Sequence, residues 1–384
     1  MKRFFGTLMS VLLVIGLLPA TLGVSVGTGV GINVNTEDFK PEIWMCDDRV
    51  VTDDSVEPGR NGVASLAERY HNYAFEGEQV AYEVLVMDKN GINKVEDVYM
   101  TIGATQGEGN DIEVNCVEDV GFSPIVDPEC NARILEEDLT GTAINTQTQR
   151  YYTCTFTVET PDSMYNEYFV TAEATDLDGL STIVRENEYW FLNPVVALSI
   201  DGELNFENVR PNAVSYSDTI LVGNDADDGS GVMMDMFITG TDFYDTSSSG
   251  AMCPTTNQLA LNGVGPDGVI NTADDTGFRY FVTSGAYSSA TDALVDGGVY
   301  DPVTSRLNIN AEDYLNIQYG NNFQETMYDE AEILQAGGVD ANGYYRANVL
   351  SPDSEMALTF SLNLPEPCNG DFDSGQIFFW GEAV

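Results

Sequence analysis

The sequence predicts an all-β protein, built as two β-sandwich domains behind a signal peptide. Three observations predict it. Short runs rich in Val, Tyr, Thr and Phe recur between Gly, Asp and Asn turns. Almost nothing carries the apolar spacing of a long amphipathic helix. The 384 residues are 43% hydrophobic and 10% aromatic, enough to bury a sizeable core, and that length suits two domains.

Residues 1–23 read as a secretory signal. Lys2 and Arg3 form its basic start, Phe4 to Leu18 its apolar run, and Pro19 breaks the helix before small Thr21 and Gly23. Cleavage after Gly23 fits better than an uncleaved anchor, whose apolar stretch would barely span a bilayer. No other segment approaches spanning length, so the expectation is an exported chain with no transmembrane anchor after cleavage.

Residues 24–36 read as an N-terminal strand arm. Val24, Val26, Thr28, Val30, Ile32 and Val34 hold every even position, and Ser25, Gly27, Gly29, Gly31 and Asn33 hold the odd ones. This strict alternation describes a strand of about 36 Å at ~3.3 Å per residue. It serves either as the edge strand or linker of its own sandwich, or as a strand donated to a neighbouring subunit, with Val24, Val26, Val30, Ile32 and Val34 setting the register.

Residues 37–193 follow the all-β pattern. Val80, Tyr82, Val84 and Val86 alternate into the turn Asp88-Lys89-Asn90-Gly91, and Val95 to Ile102 supplies the next strand. Tyr151 to Val158 and Tyr168 to Ala174 follow, the latter ending at Asp176-Leu177-Asp178-Gly179; Tyr189 to Leu192 closes the unit before Asn193-Pro194. With Glu76-Gly77-Glu78 ahead of the first of these strands, this unit resembles the immunoglobulin-like sandwiches of bacterial and archaeal surface proteins. The Cys…Trp…Cys spacing of true immunoglobulin domains is missing.

Residues 194–384 read as a second, jelly-roll-like sandwich. Val195 to Ile200, Asp201-Gly202, Leu204-Asn205-Phe206, Val209-Arg210-Pro211, Ser217 to Val222 with Gly223-Asn224, and alternating Met234, Met236 and Ile238 follow in order. This layout is similar to the opening of the camelysin/TasA-type extracellular filament proteins. That resemblance implies a β-sandwich that works by polymerising. Residues 241–345 read as a long loop insertion, and Glu355 to Leu364 and Gln376 to Trp380 return to strand.

The six cysteines are an even count in an exported chain, which points to disulfides. Four precede residue 160, so Cys253–Cys368 pairs within the second unit. Cys116–Cys130 with Cys46–Cys154 is the expected pairing in the first. Zinc would need a Cys-x-x-Cys or Cys/His cluster, and the sequence has none.

The charge excludes more. With 62 acidic and 15 basic residues the chain carries −47, which repels nucleic acid and anionic lipid. Removing residues 1–23 takes two bases and no acids, and −47 − 2 = −49. Acid concentrates on turns: Asp225, Asp227 and Asp228; Asp267, Asn271, Asp274 and Asp275; Asn369, Asp371 and Asp373; Asp176 and Asp178. Calcium, which takes about six to eight oxygen ligands, is the cofactor such loops suit, and 267–275 is the best-furnished. The alternatives are plain turn preference and a surface adapted to high salt.

Catalysis lacks its signatures. His71 is the sole histidine, no nucleophile motif accompanies it, and no P-loop or H-E-x-x-H occurs. The expectation is a non-enzymatic structural protein of the cell surface that self-associates as a subunit of a filament or surface layer. The alternative is a calcium-dependent adhesin. It would grip a glycan or protein through 241–345, using aromatics such as Phe243, Tyr244, Tyr280, Phe281 and Tyr287.

Overall fold

The computed structural model describes residues 29, 31–52, 71–107, 112–121, 123–184, 187–263, 275–291, 314–320, 331–340 and 343–384. The chain divides into Met1–Asp38 and Phe39–Val384, and every strand named below belongs to the second unit. The protein is all-β.

The first strands are β1 (Glu42–Thr52), β2 (Tyr73–Ala74), β3 (Gln79–Met87), β4 (Val95–Gly103), β5 (Ile112–Asn115) and β6 (Val117–Glu118). A small hairpin, β7 (Arg133–Ile134) with β8 (Glu137–Asp138), precedes β9 (Gln149–Thr157), β10 (Asn166–Asp176), β11 (Ser181–Ile183) and β12 (Glu188–Leu192). They build two facing sheets, β1-β3-β9-β6 and β2-β12-β10-β4-β5, with β11 on β10. Val80, Tyr82, Val84 and Val86 turn inward as their alternation dictates, and meet Met100, Val170, Phe156 and Trp190 from the other strands. The Tyr82 and Trp190 rings meet edge to face at 5.8 Å. The opposite face of β3 is also covered: Leu85 and Met87 pack with Tyr151, Val126 and Ala132 in a second, smaller cluster.

The later strands are β13 (Leu198–Asp201), β14 (Val214–Asn224), β15 (Met234–Gly240), β16 (Phe243–Tyr244), β17 (Gln258–Leu259), β18 (Asn262–Gly263) and β19 (Thr276–Ser284). After them come β20 (Tyr287–Ser288), β21 (Leu315–Asn316), β22 (Gln318–Tyr319), β23 (Val349–Leu350), β24 (Glu355–Asn363) and β25 (Ile377–Ala383). One sheet runs β13-β14-β24-β19-β18, with β20 and β21 on β19; the other gathers β22, β23 and β25 on β15. Met236, Ile238, Tyr280, Leu358 and Phe360 fill the core between them, and Tyr73 and Phe191 of the earlier strands belong to the same cluster.

Two expectations are corrected. The 241–345 stretch is not a loop insertion throughout: β19 is a nine-residue strand in the middle of its sheet, paired with β24 along Gly277 to Thr283. Its Phe278, Tyr280 and Val282 alternate inward like any core strand. The disulfide pattern is Cys46–Cys130, Cys116–Cys154 and Cys253–Cys368. Only the last follows the expected pairing. Cys46 and Cys154 lie on the same sheet but face opposite sides, Cys46 in the outer cluster and Cys154 in the inter-sheet core. Side-chain parity on a strand therefore forbids their union. Cys116 directly precedes β6, which pairs with β9 beside Cys154, whereas Cys130 lies under β1 in the turn Pro128–Cys130.

Candidate functional site

Residues 31–38 take no strand pairing, and the β-branched side chains of the arm stand in solvent: Ile32 is 84% and Val34 76% exposed. Val24, Val26 and Val30 lie outside the described residues. The chain joins the sandwich at Phe39, whose amide donates to Asn90 Oδ1 and whose ring packs in the outer cluster with Lys89 Nζ 5.6 Å above it.

The acidic turns separate into different roles. Asp267, Asn271 and Asp274 lie outside the described residues. Asp275 is buried beside Arg279, whose Nη1 donates to the Asp275 carbonyl at 3.1 Å. Burial brings the Arg279 guanidinium down to about 10, and the Asp275 charge works against that fall. Asp275 thus faces a built-in cation. Asp227 Oδ2 accepts from Tyr165 Oη at 3.0 Å and from Val195 N at 2.9 Å, tying the 195–197 connection to the earlier strands, and Asp225 N donates to Ala197 O at 2.9 Å. The bond to Asp227, followed by desolvation, raises the Tyr165 hydroxyl above its ordinary value.

Asp228 meets Asp353. A hydrogen bond between the two carboxyls, then Asp228's charge, raises Asp353 above the usual carboxylate range, with a smaller push from Asp225. Repulsion is concentrated at this pair. Even so, no group of three or more His, Cys, Asp or Glu side chains is gathered closely enough to hold a metal ion among the described residues. Asp371 belongs to a different device: its amide donates to Asp245 Oδ2, while Asp245 Oδ1 accepts from Ser247 N, Ser247 Oγ and Ser248 N, all at 2.9 Å.

A cleft of about 330 Å³ opens where the turn Gly229–Gly231 approaches β12, lined by His71, Asn72, Glu167, Tyr189, Phe191 and Ser230. Gly231 has φ +72°, and a Cβ there would meet the His71 Cβ at 3.0 Å, so glycine allows the turn to sit against the imidazole. Alternation along β12 points Trp190 into the core and leaves Tyr189 38% exposed beside Phe169, ring centroids 4.4 Å apart. An imidazole, a carboxylate and an exposed phenol ring can hold a polar ligand with a flat apolar face. Sequence reasoning missed Glu167 and Tyr189, because only the approach of the distant 229–231 turn makes a cleft of them.

No family model and no curated protein sequence matches the chain. Among solved structures it is similar to the C-terminal domain of the Streptococcus agalactiae antigen I/II polypeptide BspA: TM-score 0.32, 10% identity, 90% of this chain and 97% of that one. The C-terminal domain of the Streptococcus pyogenes antigen I/II-family protein AspA gives TM-score 0.24 at 9% identity, over 90% and 96% of the two chains. The secreted serine protease VesC of Vibrio cholerae gives 0.16 at 8%, over 80% and 49%. TM-scores of this size fall short of a shared topology, and the functional reading stands on the chain's own residues.

Proposed function

We propose that the protein is an exported, non-enzymatic structural subunit of the cell surface, assembling into a filament or surface layer by donating residues 24–34 as a strand to a neighbour. One observation carries this reading: Ile32 and Val34, two members of a strictly alternating β-branched series, stand exposed in a stretch, 31–38, to which no strand is assigned. Such a stretch gains backbone hydrogen bonds and burial only from a partner. β1 terminates its sheet and has 11 residues, the length of the donated 24–34 segment, so its outer edge suits the role of acceptor. Three disulfides agree with an oxidising compartment. Removal of residues 24–34 should convert the polymers seen by negative-stain electron microscopy into single subunits. Polymers of unchanged form, or a parent chain that never polymerises, would end the proposal.

A second reading, a surface adhesin, is favoured by the cleft beside His71; of the 241–345 aromatics, Tyr244 and Tyr287 stand 38% and 41% exposed. Tyr280 and Phe243 are committed to the core, the latter against Phe278 at 4.6 Å. Binding to a glycan panel that Tyr189→Ala leaves intact would remove this alternative.

A further inference from the structure

Asp88 and Asp176 open two turns of the same build, Asp88-Lys89-Asn90-Gly91 and Asp176-Leu177-Asp178-Gly179. The first follows β3 and the second begins at the end of β10, so the two facing sheets each contribute one. The second turn bonds to the segment that follows the first: Leu177 N donates to Lys94 O at 2.9 Å, and Asp176 pairs in register with Val95, close enough for its charge to act on Asp88.

In each aspartate one oxygen serves its own turn. Asp88 Oδ1 accepts from Asn90 N at 2.7 Å, and Asp176 Oδ1 accepts from Asp178 N at 3.0 Å and Leu180 N at 2.8 Å. The other oxygen of each, Oδ2, is shut off from solvent and takes no hydrogen bond. The two residues are 0% and 1% exposed. Asp176's charge bears on Asp88, yet neither Oδ2 hydrogen-bonds the other, so no shared proton bridges them. Lys94 also acts on Asp88, but its ammonium sits 2.6 Å from Asp178 Oδ2, where both side chains are partly exposed. Two buried carboxylate oxygens without a partner are costly, and such groups are found paired or on metal ions.

We infer that Asp88 Oδ2 and Asp176 Oδ2 are ligands of a calcium ion bound between these turns. The donors are hard oxygens, and two carboxylates balance the ion's two charges. Calcium accepts irregular oxygen shells at about 2.3–2.6 Å, so turn carbonyls and water can fill its remaining positions, whereas magnesium demands a near-ideal octahedron. Zinc would draw on His or Cys, and every cysteine is in a disulfide. The site lies within one subunit and is independent of assembly.

Calorimetric titration of calcium chloride into the purified, chelator-treated chain at constant ionic strength tests this, with thermal melts alongside. One saturable site is expected, with a melting temperature that rises with calcium. Asp88→Asn and Asp176→Asn should each weaken binding at least ~ten-fold, the loss that even an outer partner of a metal site causes. Without calcium both variants should melt no lower than the parent, since each removes one of two repelling charges; this separates lost binding from lost folding. A parent chain that binds no calcium, variants that bind like the parent, or magnesium bound as tightly would each overturn the site. So would calcium binding that Asp228→Asn abolishes and Asp88→Asn leaves intact.

Discussion

At the scale of single residues, carboxylates of identical chemistry have been put to opposite uses by their surroundings. Asp245, 2% exposed, is held by four donors: the Asp371 amide first, which with the Ser247 and Ser248 groups brings it below the usual 3.8. A depressed folded-state value means the charged form stabilises the fold above the unfolded value, and that this contribution is lost as pH falls from 3.8 through the folded value. Asp245→Asn should therefore lower the urea midpoint clearly near pH 7, and the gap between variant and parent should be smaller at a pH below 3.8. A gap that is the same at both would show that the charge is irrelevant. Asp353 is shifted the other way by Asp228. Nothing in the letter Asp separates these cases. The sequence marks them all as turn formers, and burial and partners decide the rest.

At the scale of elements, periodicity made much of the fold legible. β3, β4, β9, β10, β12 and β24 stand close to where alternating Val, Tyr and Phe place them. β15 was legible as a strand but not as one buried along its whole length; its Asp235 sits at 0% exposure, Oδ1 accepting from Asn348 Nδ2 at 2.6 Å. β19 was obscured because it opens with Thr276-Gly277 and carries Arg279 amid its aromatics, so its buried arginine hid a core strand. Disulfide pairing was only partly legible, since it depends on which face of a sheet each cysteine takes. Peptide mapping without reductant should recover Cys46–Cys130, Cys116–Cys154 and Cys253–Cys368. Replacing Cys253 and Cys368 by serine opens a closure of 115 residues and should cost about 4–5 kcal/mol in denaturant unfolding. Recovery of Cys46–Cys154 would refute the sheet assignment of both strands.

For the whole molecule, −47 is a problem that the visible ion pairs do little to solve. Lys89–Glu137, Lys94–Asp178, Arg133–Asp138 and Arg150–Glu118 lie at 3.3, 2.6, 3.6 and 3.1 Å, all on partly exposed side chains. Each such pair contributes only about 0–1 kcal/mol. Salt must do the rest: the screening length falls from ~10 Å at 0.1 M to ~3 Å at 1 M. The melting temperature should accordingly climb with sodium chloride over that range, and a flat or falling curve would show that self-repulsion does not limit the fold. The same screening would let like-charged subunits approach, which the proposed strand exchange requires. That the cysteines pair was legible in their even count, while the cleft needed coordinates.

The interleaving of Cys46–Cys130 with Cys116–Cys154 has a mechanical consequence. Tension applied across this region cannot run along the backbone from 46 to 154, a stretch of 108 residues by 154 − 46. It passes from Cys46 to Cys130 through sulfur, then backward along 130 − 116 = 14 residues, then from Cys116 to Cys154. A fully unravelled span is thus capped at about 50 Å, where the unbridged chain would pay out nearly 390 Å at ~3.6 Å per residue. The third bridge removes residues 253–368 from the loaded path altogether. In a thread of such subunits, extension after the sheets had come apart would come chiefly from the unbridged stretch between Cys154 and Cys253.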